Sequence, residues 1–360
     1  MRNDGHYLGA YDIFRAVLCM IVFASHSLSF INYSQLGLLA KVIQCFSGSS
    51  AVTSFFVLSG LCTVLFSTDA EAVPIAVLRK KIRKLYPEYL LTFLIALLLG
   101  LVAVPQILGG ELSALKHVWM FIIHLLLLQT FAPNTNVIQS YTSTSWYLSC
   151  LLVVYALSPY VIKYFKKFEN SRNRRNIYIY ICAIIFAFVA GRRSIELIYM
   201  TFPVRMAEFS VGICTGMLIK ERRSVNHLKC KQILSVIGLL LSYVLQRILP
   251  LGVLQFVLFP AFPTAIALYY LSFLEPIRLP KRGKLCLKAL GKIGNYSYEL
   301  FLLHYVIQEL GHTLCAGYES GIFNLILLVL EFVATYILAV FVREAVSRLR
   351  NIMKRRIEYA

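Results

Sequence analysis

Charge is scarce in this chain of 360 residues: Asp, Glu, Lys and Arg make up 15%, where soluble domains carry about 25%. Acidic residues are scarcer still, 17 against 36 Lys and Arg, so the formal net charge is +19. Internal repeats, low-complexity tracts and a linker to a soluble domain are missing. The nine cysteines follow neither a zinc spacing nor a disulfide framework. Cys19, Cys62, Cys182 and Cys214 lie inside apolar runs, where a thiol packs as a small hydrophobe. These absences exclude an ordinary soluble domain and a stapled secreted one. The positive balance does not imply a nucleic-acid partner, and none is expected. The cations fall in short segments between apolar runs, the pattern of cytoplasmic loops touching anionic lipid.

What is abundant is apolar surface: 59% of residues are hydrophobic and the mean hydropathy is +0.71. Eleven segments are candidates to cross a bilayer: 11–30, 51–67, 89–108, 118–132, 146–162, 177–190, 203–219, 232–249, 252–273, 293–312 and 321–342. Basic stretches at 79–84, 163–175, 220–231 and 278–292, and a basic tail over 343–360, are expected in the cytoplasm. Three candidates separate the first two of these stretches, an odd number. One of the three therefore does not cross. The segment 118–132 is short, and 89–108 is interrupted by Pro105. The expected fold is an all-α polytopic membrane bundle. It has ten spans plus one non-spanning (re-entrant or in-plane) helix between 89 and 132, with both termini cytoplasmic. Backbone at membrane depth is tolerated there only under a cover of protein or water. Residues 1–360 form a single integral-membrane domain, with no soluble C-terminal domain and no cleavable signal peptide expected.

The first segment carries Arg15 and His26 within an otherwise apolar stretch. Ionisable groups at that depth face a bundle interior or a water-filled cavity. Eleven residues separate them, nearly a whole number of turns, so they lie about 16 Å apart along one helix face. One reading is a site, with His26 as acid or base and Arg15 as a cation deeper in the same cavity. The other is snorkelling of Arg15 and a hydrogen-bonded core histidine. The block Arg79–Lys84 stands before Tyr86 and Pro87. It fits an anchor that sets topology or a phosphate clamp. Gly48, Ser49, Ser50, Ser59 and Gly60 permit close helix approach. Thr142–Ser145 would contact a sugar or cap a helix, and Trp146 and Tyr147 fit an interfacial belt. Arg205 and Glu208, three apart, are expected to pair with each other. His304, Gln308 and His312 share a face, but no carboxylate or cysteine completes a metal site there.

Taken in order, these motifs resemble the acyltransferase 3 membrane proteins, which include bacterial O-acetyltransferases of surface polysaccharides. That family opens with Asp, Arg and, after ten residues, His, here Asp12, Arg15 and His26 in DIFRAVLCMIVFASH. FFVLSG (Phe55 to Gly60), RKKIRKLYP with Lys84 where Arg is usual, WYLSCLLVVYALSP and SYELFLLHYVI are similar to its later elements. Leu151 stands where a glutamate often follows the tryptophan. The resemblance implies transfer of an acyl group, most often acetyl from acetyl-CoA, to a glycan hydroxyl, with no metal. It implies His26 as base and Arg15 as a catalytic or donor-binding cation. Lys80, Lys81, Arg83 and Lys84 would hold the donor, and Asp12, Ser145, Trp146 and His304 would contact substrate. The setting implied is the bacterial cytoplasmic (inner) membrane, with the bilayer, a glycan acceptor and polysaccharide-assembly proteins as partners. A transporter or flippase of a glycan or anionic solute, using Arg15 and His26 as a relay, is the alternative.

Overall fold

The computed structural model describes residues 4–27, 47–66, 73–102, 114–132, 134–167, 198–221, 227–248, 259–273, 281–315 and 320–358. Among them every regular element is helical, as expected. The helices are α1 (Asp4–Ser27), α2 (Gly48–Phe66), α3 (Pro74–Val102), α4 (Ala114–Leu125), α5 (Thr135–Gln139) and α6 (Trp146–Lys167). They continue with α7 (Phe202–Lys220), α8 (Leu228–Ile248), α9 (Ala261–Leu271), α10 (Lys281–Asn295), α11 (Ser297–Leu314) and α12 (Gly321–Glu358). Seven of these, α1, α2, α3, α6, α7, α8 and α12, are long and apolar enough to cross a membrane. At 18 residues α11 has the length, but it carries Glu299, His304, Gln308, Glu309 and His312. The expected segment 177–190 lies outside the described residues, and with it the full count of ten spans.

The centre of the bundle is the crossing of α2 and α7. A methyl group on Gly60 would strike the carbonyl oxygen of Phe209, and one on Gly212 the carbonyl of Val57. Two backbones meet there with no side chain between them, which only glycine allows. Beside the crossing, Arg205 Nη1 donates to Glu208 Oε2 at 2.8 Å, and Thr53 donates to Glu208 Oε1 at 2.9 Å. The pair is fully buried. Ser54 ties α8 and α9 to α2 through Tyr243 (2.6 Å) and Thr264 (2.7 Å).

Of the two segments in doubt, 89–108 begins inside the 29-residue α3, which is long enough to span. The other, α4, has twelve residues, about 18 Å of helix against about 30 Å of hydrocarbon. The chain leaves it through Leu127, at φ 55°. Protein covers the backbone freed there. Tyr86 donates to the Leu125 carbonyl and Tyr89 to that of His124, both at 2.7 Å, and Ser149 donates to that of Leu127 at 2.6 Å. At this end α3 and α6 take the place of water, so these carbonyls need no partner from lipid.

Two basic stretches expected as loop and tail are helical where they are described. Residues 281–295 form α10, which packs on α1 so closely that a side chain at Gly294 would strike the Asp12 carbonyl. The 38-residue α12 continues unbroken through 343–358. At about 57 Å it is longer than a bilayer is thick.

Candidate active site

Pro87 lies inside α3. A proline has no N–H to give the carbonyl one turn back, so the chain leaves acceptors open at Arg83 and beside it. The far end of α12 fills the gap. Arg350 Nη2 donates to the carbonyls of Lys84 (2.7 Å) and Arg83 (3.4 Å) and to Glu88 Oε2 (2.9 Å). One turn pair earlier on α12, Arg343 Nε donates to Glu299 Oε1 at 2.8 Å, and its Nη2 reaches the Asn295 carbonyl at 2.6 Å. These two arginines fasten α12 to α3 and α11. They enclose a cavity of about 580 Å³ between those helices and α1, α2 and α6.

The mouth of the cavity is charged, lined by Lys84, Arg343 and Arg350 with Glu88 and Glu299. Further in stands Arg15. Its Nη1 donates to Asp12 Oδ1 at 2.6 Å and its Nη2 to Cys62 Sγ at 3.3 Å. Four cations and two carboxylates line the wall, and Asp12 backs Arg15 without reaching it. Aromatic rings make up much of the rest, Phe55, Tyr147, Tyr155, Tyr298 and Phe301, beside Cys62 and small polar residues such as Ser59 and Ser297. Tyr147 sits between Phe56 and Phe301, with ring centroids 4.7 and 4.8 Å away.

His26 is outside this lining. It sits at the other end of α1, where Ser25 accepts from the Gly48 backbone N–H at 3.1 Å. Its ring meets His304 of α11 at 5.1 Å and Tyr305 at 5.4 Å, both nearly perpendicular. The ring of His304 is 5.8 Å from that of Phe301. The aromatic end of the cavity is therefore one side chain away from the two histidines.

The residues anticipated from the sequence divide accordingly. Arg15 and Lys84 line the cavity, and His26 and His304 meet each other behind Phe301. Lys81 lies 3.7 Å over the ring of Tyr155, itself a wall residue, whereas Lys80 and Arg83 sit on the exposed face of α3. Ser145 and Trp146 are buried away from the cavity. Ser145 accepts from Gln129 at 2.8 Å, and Trp146 packs on Tyr199 at 5.0 Å. Their neighbour Tyr147 is the one that reaches the wall. The reading of the sequence did not single out Glu88, Arg343, Arg350 or Cys62 as site residues. Glu88 had a local signal, a carboxylate directly after the Tyr-Pro that ends a basic block. Among the described residues no group of three His, Cys, Asp or Glu stands close enough to hold a metal ion.

Such a cavity can take an anionic group beside its cations and an apolar group beside its rings, with a pair of imidazoles behind Phe301. Comparison with known proteins points to acyl transfer. A family model described as an acyltransferase domain, that of the acyltransferase 3 family, matches residues 8–344. The chain is 26% identical over 294 residues to acyltransferase MdmB of Streptomyces mycarofaciens, covering 75% of this chain and 70% of that protein. No solved structure matches the chain. With nearly its whole length inside the family match and seven helices fit to cross a bilayer, the chain belongs to the acyltransferase 3 family and is a multi-pass membrane acyltransferase.

Proposed function

We propose that the protein transfers an acyl group, acetyl in the first instance, from acyl-CoA to a hydroxyl of an exported or cell-surface polysaccharide, across the bacterial cytoplasmic membrane. The observation that carries this reading is the set of groups one cavity brings together: the cations Arg15, Lys84, Arg343 and Arg350, the rings of Phe55, Tyr147, Tyr155, Tyr298 and Phe301, and next to Phe301 the His26–His304 pair. Coenzyme A has phosphates at one end and a thioester at the other. Arg343, Arg350 and Lys84 suit the phosphates, and the aromatic end suits the pantetheine arm and acyl group. The mouth opens to the cytoplasm, where the donor is made, and the histidines face the exported acceptor.

A sugar hydroxyl is a weak nucleophile at its free pKa and needs a base. His26 takes its proton as the oxygen attacks the thioester carbonyl. The C–S bond breaks, and the proton passes to the leaving sulfur, which departs as the free thiol. Arg15, about 16 Å along α1 from His26, serves the donor and not the reacting carbonyl.

The test is thiol release from acetyl-CoA by the purified protein in lipid nanodiscs, with glycan analysis of cells with and without the gene. The expected result is acceptor-dependent release that His26→Ala abolishes at equal protein level, and an acetyl-sized mass difference in the glycan. Near-normal release by His26→Ala would remove His26 as the base. Transport of a glycan without thiol release would replace the enzyme by a flippase.

A further inference from the structure

His304 is buried, and its two ring nitrogens are in different positions. Nδ1 lies 2.9 Å from the carbonyl oxygen of Phe301 and 3.2 Å from that of Leu300. Carbonyl oxygens only accept, so Nδ1 carries the hydrogen and the ring is held in one tautomer. Nε2 is then a bare lone pair. It is buried without a hydrogen-bond partner, a costly state for an acceptor at membrane depth. The titratable ring that meets His304 from the neighbouring helix is His26, with centroids 5.1 Å apart and planes at 72°. Phe23 and Phe301 cover the same ring at 6.2 and 5.8 Å. Tyr305, the next residue on α11, holds His26 from a second side at 90°.

We propose that His304 is the positioning residue of the catalytic base: with the two rings already in contact, a small turn of His26 brings one ring N–H onto the Nε2 lone pair, which is without a partner in this structure, and aims the other nitrogen of His26 at the acceptor hydroxyl. The proposal rests on the acyl-transfer reading and assigns His304 a role other than contact with substrate. It gives a neutral imidazole the work that a carboxylate does in a hydrolase triad. It fixes the tautomer of the base and stabilises the imidazolium formed when the hydroxyl proton arrives. The proton taken by His26 still goes to the leaving sulfur, and His304 keeps its own hydrogen on Nδ1 throughout. A neutral partner suits this position, since a carboxylate facing His26 would be an extra buried charge. It also gives the paired carbonyls a use: if Nδ1 lost its hydrogen, Nε2 would become a donor to His26, and the nitrogen of His26 turned toward the acceptor would carry a hydrogen and could not act as a base.

The experiment compares wild type, His304→Leu and His304→Gln, whose side-chain amide can still present an acceptor where Nε2 was. Two readouts are used: thiol release from acetyl-CoA with a saturating glycan acceptor, and ¹⁵N spectra of histidine-labelled protein in nanodiscs. The expected result for His304→Leu is a fall in kcat of about 100-fold with KM for acetyl-CoA unchanged. His304→Gln recovers at least tenfold of that loss. In the spectra, one nitrogen of His26 shows a hydrogen-bonded N–H in wild type that His304→Leu removes. A His26 spectrum identical in wild type and His304→Leu overturns the proposal, as does equal kcat in wild type and His304→Leu. If the spectra show the bond but wild type releases no thiol, the pairing stands and the acyl-CoA reading falls.

Discussion

Arg15 engages two partners through one planar group. Nη1 faces Asp12 and Nη2 faces Cys62, while the side chain stays 29% exposed to the cavity. A lysine supplies the same charge from a single point and cannot hold both partners in that fixed fork. Arg15→Lys is therefore expected to retain the cation but place it less exactly over the donor. KM for acyl-CoA should rise about tenfold with kcat within a factor of two. Steady-state kinetics checks this. A large fall in kcat at constant KM would put Arg15 beside the reacting carbonyl. The residue pattern that led here, an arginine and a histidine eleven apart in an apolar stretch, was legible because charge in hydrocarbon is rare. What spacing cannot convey is the partner. Cys62 lies 47 residues from Arg15 and reads locally as ordinary core; His304 lies 278 from His26 and reads as a substrate contact, with nothing in its neighbours to pair it with His26.

The basic block before Pro87 shows the same limit for an element. As a string it is five cations in six residues with no reason to rank them. As a helix it divides. Positions 81, 84 and 88 recur at three and four residues and turn toward the cavity, while 80 and 83 turn outward. Lys84→Ala is expected to raise KM for acyl-CoA several-fold, and Lys80→Ala to leave it unchanged, when the two are assayed side by side at equal expression. Equal effects would assign the whole block to membrane anchoring. Charge alone raised the expectation of an odd element between 89 and 132, where the structure has the twelve-residue α4, and the helical character of the spans could be inferred from hydropathy alone. The far end of α12 could not. Arg343 and Arg350 read as tail cations because their partners, Glu299 and Glu88, lie 44 and 262 residues away. The docking site for Arg350 is made by a carbonyl that Pro87 leaves free.

For the molecule as a whole, the proposed orientation places the mouth of the cavity, α10 and the ends of α6 and α12 in the cytoplasm. Two native thiols report on it, since Cys230 at the start of α8 and Cys286 on α10 are both exposed. A membrane-impermeant maleimide added to intact spheroplasts is expected to miss both and to label both after lysis. An added cysteine at Asn136, exposed on α5, should react from outside. External labelling of Cys286 would invert the molecule. The aromatic end of the cavity has a further consequence for the cell that carries it. A bore open to both sides would be a leak, each ion passing down about 2.3 kcal/mol per 100 mV. In the proposed orientation, the rings of Phe55, Tyr147 and Phe301 stand on the cavity wall on the side of the histidines, with low-polarity surface that an ion would have to cross. If donor and acceptor do approach from opposite sides, these rings would serve as insulation, letting the bundle sit in an energised membrane without discharging it.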